Sequence, residues 1–161
     1  MDPLKKFFKN GKTYYKPKKP VILKDLKMYH SLPGLDEKDL LDKKQFVEVV
    51  LMTSLRVEQN LKELYFFLHC KQTWSMYYEI FELKFSKIVN FSKASGIIDN
   101  EDYKIIDKLR KARNEIAHHP HASNKTIDEK KCRDIIVPCF KIIDKTHGQL
   151  VKIQGEKKVI Q

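Results

Sequence analysis

The sequence predicts an all-α fold, a bundle of four or five helices, and three observations point there. From about position 36 to position 147 apolar residues return every three or four positions, the period of a helix with one face buried. Residues suited to starting and stopping helices, Thr73, Gly96 and Asp99 among them, divide that pattern into segments. With 161 residues, 42% of them hydrophobic, the chain is long enough for one core and too apolar for a disordered polyelectrolyte. Bundling is the economical way for such helices to bury their stripes.

Residues 1–35 read as an extended basic arm. Gly11, Pro17, Pro20, Pro33 and Gly34 keep any helix or strand there short, and Pro20-Val21-Ile22-Leu23 is the candidate edge strand. From Asp36 to His69 the series Leu40, Phe46, Val50, Ser54, Val57, Leu61, Leu64 and Leu68 predicts one long amphipathic helix, or two in series, because neither Pro nor Gly interrupts it. Thr73 or Ser75 caps the next helix, which passes through Phe81 and Ile88 to about Ser95, where Gly96 offers the left-handed C-terminal conformation.

Asp99 then caps a helix with Glu101 and Asp102 in its first turn and a core stripe of Ile105, Leu109, Ala112 and Ile116, with Arg113 and His118 beside that stripe. Pro120 limits its continuation. The last helix is expected from Thr126, with Glu129 completing a capping box, to Gly148, with a kink at Pro138. Residues 149–161 read as a tail able to form a short hairpin around Gly155. The helical domain is therefore placed at 36–148, and no internal repeat is visible.

The formal charge is +11, from 32 Lys and Arg against 21 Asp and Glu. Its densest part is the arm, where Lys16, Lys18 and Lys19 stand among nine lysines between positions 5 and 27, opposed by Asp25 alone. Such a segment attracts a phosphate backbone without reading sequence, or is a solvated terminal tail. No apolar run approaches the roughly 20 residues needed to cross a bilayer, so no membrane partner is expected. The opening Met1-Asp2-Pro3-Leu4-Lys5-Lys6 lacks the apolar stretch of a secretory signal, and the expected location is cytoplasmic. Cys70, Cys132 and Cys139 match neither a disulfide framework nor paired zinc spacing and read as free, mostly buried thiols.

The densest chemistry lies in Arg110-Lys111-Ala112-Arg113-Asn114-Glu115-Ile116-Ala117-His118-His119. Asn114 and His118 are four residues apart and share a helical face, with Arg113 adjacent and Arg110 one turn earlier. The set suits cleavage of RNA by the RNA's own ribose 2′-hydroxyl. His118 takes the 2′-hydroxyl proton, Arg113 neutralises charge on the phosphoryl oxygens, and Asn114 holds His118 or the phosphate. A proton for the departing 5′-oxygen comes from water, a second His, or a symmetric copy of His118. No metal or cofactor is required, and the adjacent His118 and His119 do not converge easily on one ion. The competing interpretation is a charged helix end stabilised by the helix dipole, and in a noncatalytic binding or regulatory module Arg113 would instead pair with Glu115 or Asp107 and leave His118 buried.

Arg113-Asn114-Glu115-Ile116-Ala117-His118 resembles the signature of the HEPN superfamily, an Arg followed after four to six residues by a His. The lead-in from Gly96-Ile97-Ile98-Asp99 through Leu109-Arg110 is also similar, and comparable wording occurs in mannitol-repressor-like helical proteins. The resemblance spans roughly residues 40–147 and is specific over about 96–120.

It implies a helical bundle of HEPN type that works as a homodimer. It further implies a metal-independent endoribonuclease leaving 2′,3′-cyclic phosphate ends on single-stranded RNA, in a toxin–antitoxin or antiviral defence setting with an antitoxin or other regulatory partner. Arg113 and His118 would be the catalytic pair and Asn114 their support. Arg110, Lys111, His119, Lys16, Lys18 and Lys19 would bind RNA. Some members of the superfamily are noncatalytic binding or regulatory modules, which is the alternative.

Overall fold

The structure, a computed structural model, describes residues 4–9, 12–17, 36–118 and 127–159. Near the start, β1 (Leu4–Lys9) and β2 (Lys12–Pro17) pair antiparallel, with Leu4 opposite Pro17 and Lys9 opposite Lys12. Part of the arm is therefore paired rather than simply extended, while the expected edge strand at 20–23 lies outside the described residues. Aromatic residues recur in both runs, and Asn10-Gly11 between them is the dipeptide most favoured in two-residue hairpin connections.

From residue 36 onward the described chain is an all-helical bundle of six helices: α1 (Glu37–Asp42), α2 (Phe46–His69), α3 (Trp74–Phe81), α4 (Phe85–Ala94), α5 (Asn100–His118) and α6 (Glu129–Val159). The count exceeds the expected four or five because two predicted helices each break once. Asp36 caps α1 by accepting from the Lys38 amide at 2.9 Å. The chain then turns at Lys44, whose φ of 57° is left-handed. Gln45 N donates to Leu40 O and Lys44 N to Leu41 O, so the turn is a Schellman stop with lysine at the place glycine usually takes. A left-handed non-glycine costs about 1–2 kcal/mol. Leu40, Leu41 and Phe46, buried on either side, offset that strain.

The second break separates α3 from α4 at residues 82–84, where Lys84 is extended. Thr73 caps α3 as expected, and its far end is stopped from outside: the buried ammonium of Lys62 on α2 donates to Phe81 O at 2.9 Å. Gly96, at φ 76°, closes α4 with the same pair of bonds seen at Lys44, Ile97 N to Ser92 O and Gly96 N to Lys93 O. Ile97 and Ile98 are thereby turned into the core.

α6 differs most from expectation. It begins at Glu129 with Asp128 accepting from the Lys130 amide, not at Thr126, and continues through Pro138, Gly148 and Gly155 instead of stopping at Gly148 and forming a hairpin. The reason is a seven-residue apolar repeat. Cys132, Ile136, Cys139, Ile143, Thr146 and Leu150 are buried and Ile153 packs against them, at spacings alternating between four and three. Each buried Leu or Ile contributes about 2 kcal/mol, against about 1 kcal/mol lost at each helical Gly. Cys132 and Cys139 are free thiols sealed in this stripe.

α2 is the central helix, bordered by all the others. Near its middle the buried Asn60 amide donates to Thr146 Oγ1 at 2.9 Å, and that hydroxyl donates on to Ile142 O. Lys44 also meets Glu129 while Asn60 meets Thr146, so α2 and α6 run side by side in the same direction. Among the described residues no helix is long and apolar enough to cross a membrane.

Two predictions follow from these packings. Open space surrounds the Cβ positions of Gly148 and Gly155, so Gly148→Ala and Gly155→Ala should each raise stability by about 0.5–1 kcal/mol in thermal melts. A turn at Gly155 would make the second substitution destabilising. Glu63, on α2, is fully buried, and burial pushes its carboxyl up to about 7, countered in part by a hydrogen bond from Gln59. Its neutral form is the one the fold favours. The associated stability is complete below the usual Glu value near 4.5 and is lost as pH rises through about 7. The unfolding free energy from urea titrations should therefore fall between pH 5 and 8 by an amount on the order of 3 kcal/mol, and Glu63→Gln should remove most of that slope.

Candidate functional site

α5 carries the polar cluster, and both its ends are fastened to α6. At the N-terminus Asp99 accepts from the amides of Glu101 and Asp102 at 2.9 and 2.8 Å, the expected cap. Lys145 of α6 reaches Asp102 at 2.6 Å and Asp99 at 3.4 Å. The backbone bonds to Asp102 and Glu101, together with Lys145, hold the Asp99 carboxyl below its ordinary range. Toward the C-terminus Lys131 meets Glu115 at 3.5 Å.

The side of α5 that faces the core is set by Ile106 and Leu109, both fully buried, while Ile105, Ala112 and Ile116 pack half-buried at its margins. Arg113 is four residues beyond Leu109 and seven beyond Ile106. It therefore continues the central line of the stripe rather than standing beside it. A guanidinium in that place needs a partner, and Glu58 of α2 supplies one: Arg113 Nη1 donates to Glu58 Oε2 at 3.0 Å. The carboxylate is shared, because Lys62 Nζ donates to Glu58 Oε1 at 2.6 Å and also holds Phe81 O. Arg113 further lies 5.7 Å from the centre of the Phe85 ring, the first residue of α4.

One network thus runs from the end of α3 through Lys62, Glu58 and Arg113 to the start of α4. Arg113 retains 37% of its side-chain exposure and Glu58 13%. The ion-pair partner is neither Glu115, which meets Lys131, nor Asp107, which binds Lys111 and Arg110. Those two cations hold the Asp107 carboxyl below its usual range, Lys111 most strongly.

Asn114 and His118 lie on the other side. Both are exposed, which excludes a buried imidazole at position 118. With 100° per residue, the five residues from Arg113 to His118 turn the helix by about 140°. Within one chain, Asn114 and His118 share a face and the guanidinium root does not. Lys111 is exposed at 66% and Arg110 at 30%, each paired with Asp107. Lys16 lies in β2 opposite Lys5, whereas Lys18, Lys19 and His119 lie outside the described residues.

Sequence reasoning missed Glu58. Its spacing to Lys62 resembles an ordinary surface pair, and nothing local connects it to an arginine 55 residues away. It also missed Lys108, Lys130 and Lys131, which line a cavity of about 410 Å³ between α5 and α6.

The arrangement can bind and neutralise a phosphate near the end of α5 and can exchange a proton at an open imidazole. No protein-family model, curated protein or solved structure matches this chain.

The Glu58–Arg113 pair should be measurable as a coupling. In a double-mutant cycle with Glu58→Gln and Arg113→Gln, urea unfolding should return an interaction of about 1 kcal/mol. Additive effects would mean that the two groups do not support each other.

Proposed function

We propose that this chain is a HEPN-like, metal-independent endoribonuclease that cuts single-stranded RNA as a homodimer. The observation that carries this reading is the open face formed by Asn114 and His118 at the end of α5, one helical turn from a fixed and still accessible guanidinium at Arg113. His118 takes the proton of the ribose 2′-hydroxyl, and the 2′-oxygen attacks phosphorus. The bond from phosphorus to the 5′-oxygen breaks, and that oxygen takes a proton from water or from the second copy's imidazole. The product is a 2′,3′-cyclic phosphate.

Arg113 uses Nη1 on Glu58 and has further N–H donors for the phosphoryl oxygens. The angle of about 140° between Arg113 and His118 favours a shared site, in which the guanidinium of one chain works with the imidazole of the other. Asn114 orients His118 or the phosphate. A cytoplasmic toxin–antitoxin or defence system, with an antitoxin or other regulatory protein as partner, is the setting such an activity fits.

A second reading is favoured by the same ion pair. Glu58 neutralises Arg113 and ties it into the bundle, as expected of a noncatalytic nucleic-acid-binding or regulatory module.

RNA cleavage separates the two. Purified protein in excess chelator should cut single-stranded RNA, and His118→Ala should slow cutting by about 10²–10⁴-fold, with Arg113→Ala similarly impaired. A mixture of the two inactive variants should regain up to about a quarter of the wild-type rate, since random pairing leaves one intact site in half of the dimers. Binding without cleavage would establish the noncatalytic module, and cutting unchanged in both variants would end the proposed mechanism.

A further inference from the structure

The cavity between α5 and α6 is lined by four lysines, Lys108 and Lys111 from α5 and Lys130 and Lys131 from α6, over a floor of Ala112 and Ile135. Its volume of about 410 Å³ lies within the range of ligand clefts, roughly 300–1,000 Å³. Three carboxylates share the lining, and one of them is paired with a lining lysine. Asp128 accepts from the Lys130 amide at the start of α6, and Glu115 faces Lys131. Asp134 is exposed on the α6 wall. Lys111 and Lys131 are exposed at 66% and 64%, so their carboxylate contacts exchange readily for another anion. Among the described residues Lys108 and Lys130 have no carboxylate partner.

Direction comes from helix geometry. Lys108, Lys111, Glu115 and His118 are spaced by three, four and three residues and form one line along α5. The imidazole of His118 therefore stands at the end of the same face whose middle forms a groove wall. Lysines from both walls thus line the path of a strand lying along the groove toward His118.

We infer that this groove holds the sugar–phosphate backbone of single-stranded RNA and delivers it to His118, an inference that rests on the RNA-cleaving reading above. Contact with phosphates accounts for lysines rather than hydrogen-bonding amides on the walls, since lysine neutralises charge without reading bases. Asp134, one helical turn from Lys130 on the α6 wall, repels a phosphate that settles near it.

The test is fluorescence anisotropy with a labelled oligouridine of about 12 nucleotides, using full-length protein carrying His118→Ala so that the probe survives. The double substitution Lys108→Gln with Lys130→Gln should weaken binding about tenfold near 0.1 M salt and lower the slope of log K against log salt by about 1.4, two contacts at about 0.7 each. Asp134→Asn should tighten binding, a gain that a misfolded variant does not produce. Lys87→Gln with Lys152→Gln, exposed and away from the groove, should change affinity by less than about twofold.

Equal losses for the two lysine pairs, no gain from Asp134→Asn, or no oligonucleotide binding at all would overturn the groove. If His118-intact protein cuts RNA while the groove variants bind as before, the groove fails and the enzymatic reading stands. If nothing cuts but affinity follows the groove substitutions, the groove stands and the catalytic reading fails.

Discussion

One carboxylate ties the middle of this bundle together. Glu58 lies on the central helix and accepts from Lys62 through one oxygen and from Arg113 through the other. Lys62 passes the connection to the last carbonyl of α3, and Arg113 passes it to the Phe85 ring at the start of α4. The break between α3 and α4, unmarked by Pro or Gly, is thus bracketed by one charged network. With both its oxygens accepting from cations, the Glu58 carboxylate can lie largely out of water.

The same network defines two sides of α5. Toward the core lie Ile106, Leu109 and the anchored Arg113. Away from it lie Asn114 and His118, with Asp107 gathering Arg110 and Lys111 between them and the helix start. The anchored guanidinium and the exposed imidazole thus lie on different sides of the same helix. Arg113 is thus first a part of the framework, tied to the central helix through Glu58.

Much of the architecture was readable wherever the signal was local. Thr73, Gly96 and Asp99 cap or stop helices where their chemistry says they should, and the heptad spacing from Cys132 to Ile153 is present in the text of the chain. Gly148 and Gly155 obscured that spacing, because a glycine signals a stop only when packing does not override it. Lys44 escaped notice for the opposite reason: it adopts a glycine-like conformation that its side chain does not advertise.

At the candidate site, the residue types and the shared face of Asn114 and His118 were legible. The placement of Arg113 was not. Taking Ile105 as the centre of the stripe shifts the inferred core-facing direction away from Ile106, enough to move Arg113 from the middle of the face to its edge. Glu58 and the groove lysines of α6 arise from tertiary contacts between distant segments, which no local spacing encodes.

The seven-residue seam of α6 sets how that helix can move. Sliding by one residue would turn the seam by about 100° and expose it, and the next equivalent register lies about 10 Å away. Small adjustments are thus confined to displacement of the whole rod. Lys145 binds Asp102 at 2.6 Å in the first turn of α5, so displacement of the rod there carries the beginning of α5 with it. The loose Lys131–Glu115 contact leaves the other end of the groove free to adjust.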